Sequence, residues 1–239
     1  MTSQYSRTVL YACAILLSLG LAGTAGAQEV RYSWLDLTFT NQDVGGLKGT
    51  QQTPVIDQSV DVIAQDGSGV RFRGSFALGD SFYFFGDYGS TDIKVDAIVT
   101  NPQGSFPASD EFDLTTIRGG FGYHHGVGFS TDIYAEISYD SVDYDFGSFA
   151  GENFDTDAKD AGVALGIRHM LNDSWEVRAN GRYSSQAVVD LNTLEFDSGA
   201  FFGVGFSWEI VRGLALVGDY ETGDVDSWAI GFRLDMDED

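Results

Sequence analysis

The stretch "SWEVRANGRY" at residues 174–183 puts Trp175, Val177, Ala179 and Tyr183 on one side of an extended chain and Glu176, Arg178, Asn180 and Arg182 on the other. Successive side chains of a β-strand point to opposite faces, so the stretch reads as a strand with one oily and one charged face. The same split runs through "GVRFRGSFAL" (69–78), with Val70, Phe72, Phe76 and Leu78 against Arg71, Arg73 and Ser75. It recurs in "TDIYAEISY" (131–139), where Ile133, Ala135, Ile137 and Tyr139 oppose Asp132, Tyr134, Glu136 and Ser138. Charges on a strand face need water or partners. Which face turns outward decides the fold.

Ten such segments follow one another, at about 31–40, 69–78, 81–89, 113–124, 128–139, 159–170, 174–184, 196–208, 213–221 and 226–235. Short turns, "GD" (79–80), "HGV" (125–127), "ND" (172–173) and "IVRG" (210–213), follow every second segment. Longer polar connections, 41–68, 90–112 and 140–158 above all, follow the others. An up-and-down antiparallel meander has this property, because alternate connections lie at the same end of the sheet. No helical period is found after residue 28, and no stretch there approaches the ~20 apolar residues of a transmembrane helix.

Periodicity admits a soluble barrel or sandwich with its oily face inward, and a membrane barrel with that face in lipid. The charged face is rich in small residues, which the interior of a narrow barrel needs: Gly162, Ala164 and Gly166 share it with Arg168, and Ala229 and Gly231 share it with Arg233. Gly199, Gly203 and Gly205 lie on it as well. Aromatic placement discriminates further. On the oily face, Phe82, Tyr123, Phe129, Trp175 and Trp208 fall near the short turns, and Tyr88, Tyr139, Tyr183, Tyr220 and Trp228 near the long connections. Two aromatic belts around an aliphatic band are what the two interfaces of a bilayer select. The oily face is therefore expected outward. The twice-written Gly-Asp-Tyr of "FFGDYGSTD" (84–92) and "LVGDYETGD" (216–224) is then scaffold met at equivalent heights, with Asp87 and Asp219 pointing inward beside belt tyrosines.

At the N-terminus, Arg7 precedes the apolar run "TVLYACAILLSLGLAG" (8–23) and the small-residue end "AGA" (25–27), the pattern of a secretory signal peptide over residues 1–27. Residues 28–239 then form one domain. Cys13 is the only cysteine of the chain, so the exported part has neither disulfides nor thiolate chemistry. Export leaves 12 basic residues against 36 acidic ones, an unsuitable balance for nucleic acid, whose phosphates need cations.

The chain resembles the small outer-membrane β-barrel proteins of Gram-negative bacteria, the OmpA-like barrel superfamily. The leader, "GVALGIRHML" (162–171), "GAFFGVGFSW" (199–208) and the final "SWAIGFRL" (227–234) carry the likeness. It implies a closed, all-β, antiparallel transmembrane barrel of about ten strands, with eight as the alternative count. Short periplasmic turns, long acidic extracellular loops, a place in the outer membrane, lipid and lipopolysaccharide as surroundings and a monomeric state are implied with it. Its best-known members end in a terminal Phe, whereas here Phe232 and Leu234 precede "DMDED".

Function has to come from the lumen, the loops or an active site. The inward face collects Arg71, Arg73, Arg118, Arg168, Arg178, Arg182 and Arg233, seven of the ten arginines, with Asp87, Asp132, Glu136, Glu176, Asp219 and Glu221 facing them. Arginine makes bidentate pairs with carboxylates, so these side chains can cross-link strands through the interior and fill it. The alternative is a narrow, charge-lined, porin-like channel, since basic rings select anions. No catalytic, cofactor or metal site is assigned. The histidines, His124, His125 and His169, all fall beside short turns, where a solvated role is expected and a general base at the outer rim is not available. The loop "SVDYDFGSFAGENFDTDAKD" (141–160) bunches carboxylates without the spacing of an EF-hand, which leaves weak divalent-cation bridging to lipopolysaccharide phosphates as an adjunct expectation. An enzyme or a soluble ligand-binding barrel is the more distant reading.

Overall fold

The computed structural model describes residues 30–43, 48–53, 58–128, 130–149, 152–184, 189–190, 195–196, 199–223 and 225–236. The expected signal peptide and the belt residue Phe129 lie outside them. Among the described residues there is no helix. The strands are β1 (Trp34–Asp43), β2 (Lys48–Thr53), β3 (Gln58–Leu78), β4 (Phe82–Asn101), β5 (Gly104–Gly126), β6 (Thr131–Phe149) and β7 (Glu152–Asn172). There follow β8 (Trp175–Ser184), β9 (Val189–Asp190), β10 (Glu195–Phe196), β11 (Gly199–Val211), β12 (Leu214–Thr222) and β13 (Asp226–Asp235).

Order around the main sheet is β1-β13-β12-β11-β8-β7-β6-β5-β4-β3, and β3 pairs back with β1, so ten antiparallel strands close into a barrel. Closure joins Leu37 to Phe232 on one side and to Phe72 on the other. A closed sheet has no free edge, and so no backbone group is left unpaired where hydrocarbon could surround it. The strand β2 is a hairpin appendage on the far end of β3, while β9 and β10 form a separate small ladder. Tight turns at the short end use Gly79 and Gly213 at φ 71° and 79°, a left-handed backbone that glycine adopts without a Cβ clash.

The oily faces point out. Leu165 is 70% exposed and Ile137 65%, while Asp36, on the opposite face of its strand, is 1% exposed. An exterior of leucine, isoleucine and phenylalanine around a buried charged interior is the reverse of a water-soluble barrel, and only a lipid surround makes it favourable. Among the described residues every outward Tyr and Trp sits in one of two rims. Tyr88, Tyr139, Tyr183, Tyr220 and Trp228 form the upper rim, and Tyr123, Trp175 and Trp208 join Phe82 in the lower. Neighbouring rings meet across strands, Trp175 stacking on Trp208 at 5.6 Å and Phe82 tilting against Tyr123 at 5.3 Å. Phenylalanine is less sorted, with Phe76, Phe84 and Phe202 exposed between the rims. Lacking a polar atom, it gains nothing from headgroup depth.

The connections 90–112 and 140–158 differ from the loops expected of them. The strands β4 and β5 run on together to a turn at residues 102–103, and β6 and β7 extend to Phe149 and from Glu152. The physical reason is an inversion of polarity above the upper rim. There the outward side chains are Asp92, Asp113, Asp143 and Asp145, while the inward ones are Ile93, Phe112, Leu114, Val142 and Tyr144, packed into one apolar cluster. Outside hydrocarbon the sheet behaves as a water-soluble one, charged out and oily in.

Candidate functional site

Alternation that turns leucine and phenylalanine to lipid brings the charged residues of ten strands into one narrow interior. Glycine makes room for them. A Cβ on Gly166 would enter the Tyr134 ring and one on Gly122 the Tyr83 ring, while Gly205 leaves the space that Arg178 and Asp219 occupy. The interior is therefore packed, large side chain over glycine, at the cost of any wide axial passage.

Each of the seven inward arginines donates to a carboxylate. Arg71 Nε bonds Asp87 Oδ1 at 2.8 Å, its neighbour across β3 and β4. Arg118 Nη2 bonds Glu136 Oε2 at 2.8 Å, and its Nε lies 3.6 Å from Asp140 Oδ1. Arg168 grips both oxygens of Glu176, at 2.9 and 2.7 Å. Arg182 does the same to Glu221, at 3.2 and 2.5 Å. Arg178 donates from Nε and Nη2 to Asp219 Oδ1, at 2.9 and 2.6 Å, and Arg73 reaches Asp219 Oδ2 at 2.5 Å from the other wall. Four of the guanidiniums also lie over aromatic rings: Arg118 on Phe85, Arg168 on Tyr32, Arg182 on Phe201 and Arg233 on Trp34, at 4.2–4.8 Å from the ring centres. In a low dielectric each pair is strong, and removing either partner is costly.

Two carboxylates of this network are absent from the set collected by sequence. Asp36 accepts from Arg233 at 2.7 and 3.1 Å and from Arg73 at 2.9 Å. Asp140 is fully buried and accepts from Ser184. Alternation in "WLDLTFTNQ" (34–42) places Asp36 opposite Leu37 and Phe39, so that signal was present. Asp132 behaves differently from its expected role among the arginines: its Oδ2 lies 2.9 Å from His124 Nδ1.

The histidines also depart from the solvated role. His124 is buried, paired to Asp132 and stacked on Tyr32 with ring centres 3.8 Å apart. His169 is buried with Nδ1 2.7 Å from Thr131 Oγ1, and only His125 is exposed. For His124 the cause is the segment preceding β1. Residues 30–33 enter the short-turn end of the barrel, where Val30 and Tyr32 pack with Tyr83. They are held there by Arg168 Nη1 on the Arg31 carbonyl (2.8 Å), Met236 N on the Ser33 carbonyl (2.9 Å) and Ala77 N on Ser33 Oγ (3.1 Å).

The lumen is thus built in three layers. Val30, Tyr32, Tyr83 and His124 form a floor, the arginine and carboxylate side chains a middle, and the apolar cluster of β4, β5 and β6 a roof. Val225, from the β12–β13 connection on the opposite wall, packs against that roof and carries it across the opening. At the height of the roof, on the outer surface, Asp92 and Asp113 stand directly paired with Asp145 next in register. A hydrogen bond shared with Asp92, then burial and the charges of Asp92 and Asp145, raise the Asp113 carboxyl above its ordinary range. Among the described residues no three His, Cys, Asp or Glu side chains converge to hold a metal ion.

Residues 12–209 match the model of the outer membrane protein beta-barrel domain family. No curated protein matches the sequence. Among solved structures the chain is similar to the β domain of the Bordetella autotransporter BrkA, at 10% identity and a TM-score of 0.49, covering 87% of this chain and 100% of that one. It is also similar to the outer membrane protein OprG from Pseudomonas aeruginosa, at 9% identity and a TM-score of 0.44, over 89% and 100% of the two chains. For Ail, the attachment invasion locus protein of Yersinia pestis, the values are 9% and 0.36, over 85% and 99%.

Proposed function

The chain belongs to the family of outer membrane protein β-barrel domains and resides in the outer membrane of a Gram-negative bacterium; from that premise we propose that it is a sealed barrel with a structural or surface-interacting role. The observation that carries the reading is the complete pairing of the seven lumen arginines, Arg71 to Arg233, with carboxylates of other strands. An ion at the midpoint would have to break several buried charge-assisted bonds at once, and the oily roof would still stand in its way. The parts free to meet other molecules are the tall outer hairpins, which rise above the headgroups with charged outer faces. Lipid and the phosphates of lipopolysaccharide are the surroundings they would touch.

Planar-bilayer recording tests the closure. The purified barrel should give no steady openings, and Arg178→Ala, which removes a middle-layer cation, should leave the current unchanged because floor and roof persist. Steady single-channel openings that Arg178→Ala weakens or reshapes would replace this reading with the narrow anion-preferring channel. The proposal also assigns no catalysis. His124 is committed to Asp132 and His169 to Thr131, both at the periplasmic end, away from where outer-leaflet lipid arrives. Hydrolysis of a lipid A or peptide panel, lost on mutating His124 or His169, would contradict it.

A further inference from the structure

Two side chains of the barrel wall lie over the ring of Tyr32. The His124 imidazole stacks on it with ring centres 3.8 Å apart and planes 15° from parallel, and the Arg168 guanidinium stands 4.6 Å from the ring centre. Tyr32 belongs to the segment 30–33, which precedes β1 and lies outside the sheet ladder. Its buried side chains are Val30 and Tyr32. Its polar fastenings are the three hydrogen bonds from Arg168, Met236 and Ala77, and Arg31, whose Nη1 lies 3.7 Å from Glu209 and 3.6 Å from Asp235. A segment docked in this way can lift without unpairing any strand of the barrel, so its opening is a local event. His124 is the titratable side chain in contact with it. Its Nδ1 lies 2.9 Å from Asp132 Oδ2 on β6, and both residues are buried. The other charges of this layer are matched among themselves. Arg168 on β7 holds Glu176 on β8, and Arg118 on β5 holds Glu136 on β6, which also accepts from the Tyr83 hydroxyl of β4. Tyr134, the cross-strand neighbour of His124, is a neutral phenol below about pH 10. Asp132 is left to the imidazole.

We infer that residues 30–33 are a strap across the periplasmic mouth whose grip is set by the charge of His124, tighter in acid and looser as pH rises. Imidazole is the side chain that gains or loses a proton between about pH 5 and 8. A proton taken up here turns the Asp132 contact into a charge-assisted bond and the Tyr32 stack into a cation–π contact, with both partners already in place. Docking of the strap therefore strengthens as the imidazole takes up its proton and weakens as it loses it. The inference concerns the floor alone and goes beyond the sealed-lumen reading without depending on it.

Maleimide labelling of Val30→Cys, in a Cys13→Ser background that leaves it the only thiol of the chain, measures how often the strap lifts. The rate for the barrel in detergent is divided by that of the urea-unfolded chain at the same pH, which removes the thiol's own titration. That ratio should be about three- to tenfold lower at about pH 5.5 than at about pH 8, the range a cation–π contact supplies. His124→Gln, which keeps a donor for Asp132 and removes the titration, should abolish the difference. Tyr32→Leu, which keeps an apolar side chain in the floor and removes the ring, should lose most of it. Heat-modifiable mobility identifies the variants that still close as barrels, and either one suffices for the comparison. A ratio that does not change with pH, one that rises in acid, or a pH dependence retained in His124→Gln or Tyr32→Leu would overturn the strap. Steady currents in planar bilayers would count against the sealed lumen and leave pH-dependent labelling standing; silent bilayers with pH-independent labelling would do the reverse.

Discussion

Arg233 holds both oxygens of Asp36, from Nε at 2.7 Å and Nη2 at 3.1 Å, and so bolts the last strand to the first inside the lumen. The two residues are 197 positions apart and face one another across the seam where the barrel closes. Asp36 also takes Arg73 from the neighbouring β3, which makes it the hub of three strands.

Asp36→Ala should therefore be among the most damaging substitutions in the molecule. It leaves Arg233 and Arg73 buried without this acceptor, a loss of about 3–5 kcal/mol by the usual cost of breaking a buried pair. Urea unfolding of the barrel in detergent, followed by its heat-modifiable mobility, measures this directly. Loss of less than about 1 kcal/mol would mean that water enters the seam freely.

Glycine positions should split sharply by what lies beside them. Gly205→Leu drives a side chain into the Arg178–Asp219 pair and Gly166→Leu into the Tyr134 ring, so both should reduce the yield of folded barrel severely. Gly86→Ala meets nothing within 4 Å and should fall within about 0.5 kcal/mol of the native stability. Folded fractions by heat-modifiability rank the three, and equal behaviour would contradict the filled lumen.

The outer hairpin of β4 and β5 should be firmer in acid. The Asp113 carboxyl is raised by its bond with Asp92, so the folded state holds that proton more tightly than the unfolded chain does. Stability is then gained as pH falls into the carboxylate range and lost as pH rises through the raised folded value. Hydrogen exchange of the β4 and β5 amides, corrected for intrinsic rates, should show protection rising on acidification, and Asp113→Asn should flatten that dependence and increase protection near neutral pH. Protection falling in acid, in both proteins, would refute the assignment.

The roof should be a layer of packing with its own stability. Phe112→Ala removes a buried ring from the cluster with Ile93, Leu114, Val142 and Tyr144, at a cost of about 3–5 kcal/mol if the site behaves as a core. Bilayer recordings should nonetheless stay silent, because the ion-paired middle remains. Openings in Phe112→Ala alone would show that the roof is the only seal.

Much of this was legible before any coordinates. Alternation in segments such as 174–183 separates an oily from a charged face, and the sorting of Tyr and Trp to the segment ends says which face meets lipid. Ten segments and their alternating short and long connections then specify the meander. These are properties of single strands, whose side-chain period is set by backbone geometry alone. Asp36 was legible by the same alternation, the one charge on the inward face of its strand, where Thr38 and Thr40 are its neighbours.

Other features belong to no strand by itself. That Arg73 meets Asp219 and Val225 meets the Phe112 cluster depends on which walls oppose one another, and that follows from strand number and closure. The burial of His124 needed the segment at 30–33 to turn into the barrel mouth, which its own short polar and aromatic sequence does not announce. The hairpins above the upper rim hid in plain view: the period continues through Asp92, Ile93, Lys94 and Val95, but its sign inverts where hydrocarbon gives way to water. A one-dimensional pattern records the alternation of faces, whereas the solvent on each side is fixed only when the chain is folded and set at its depth in the membrane.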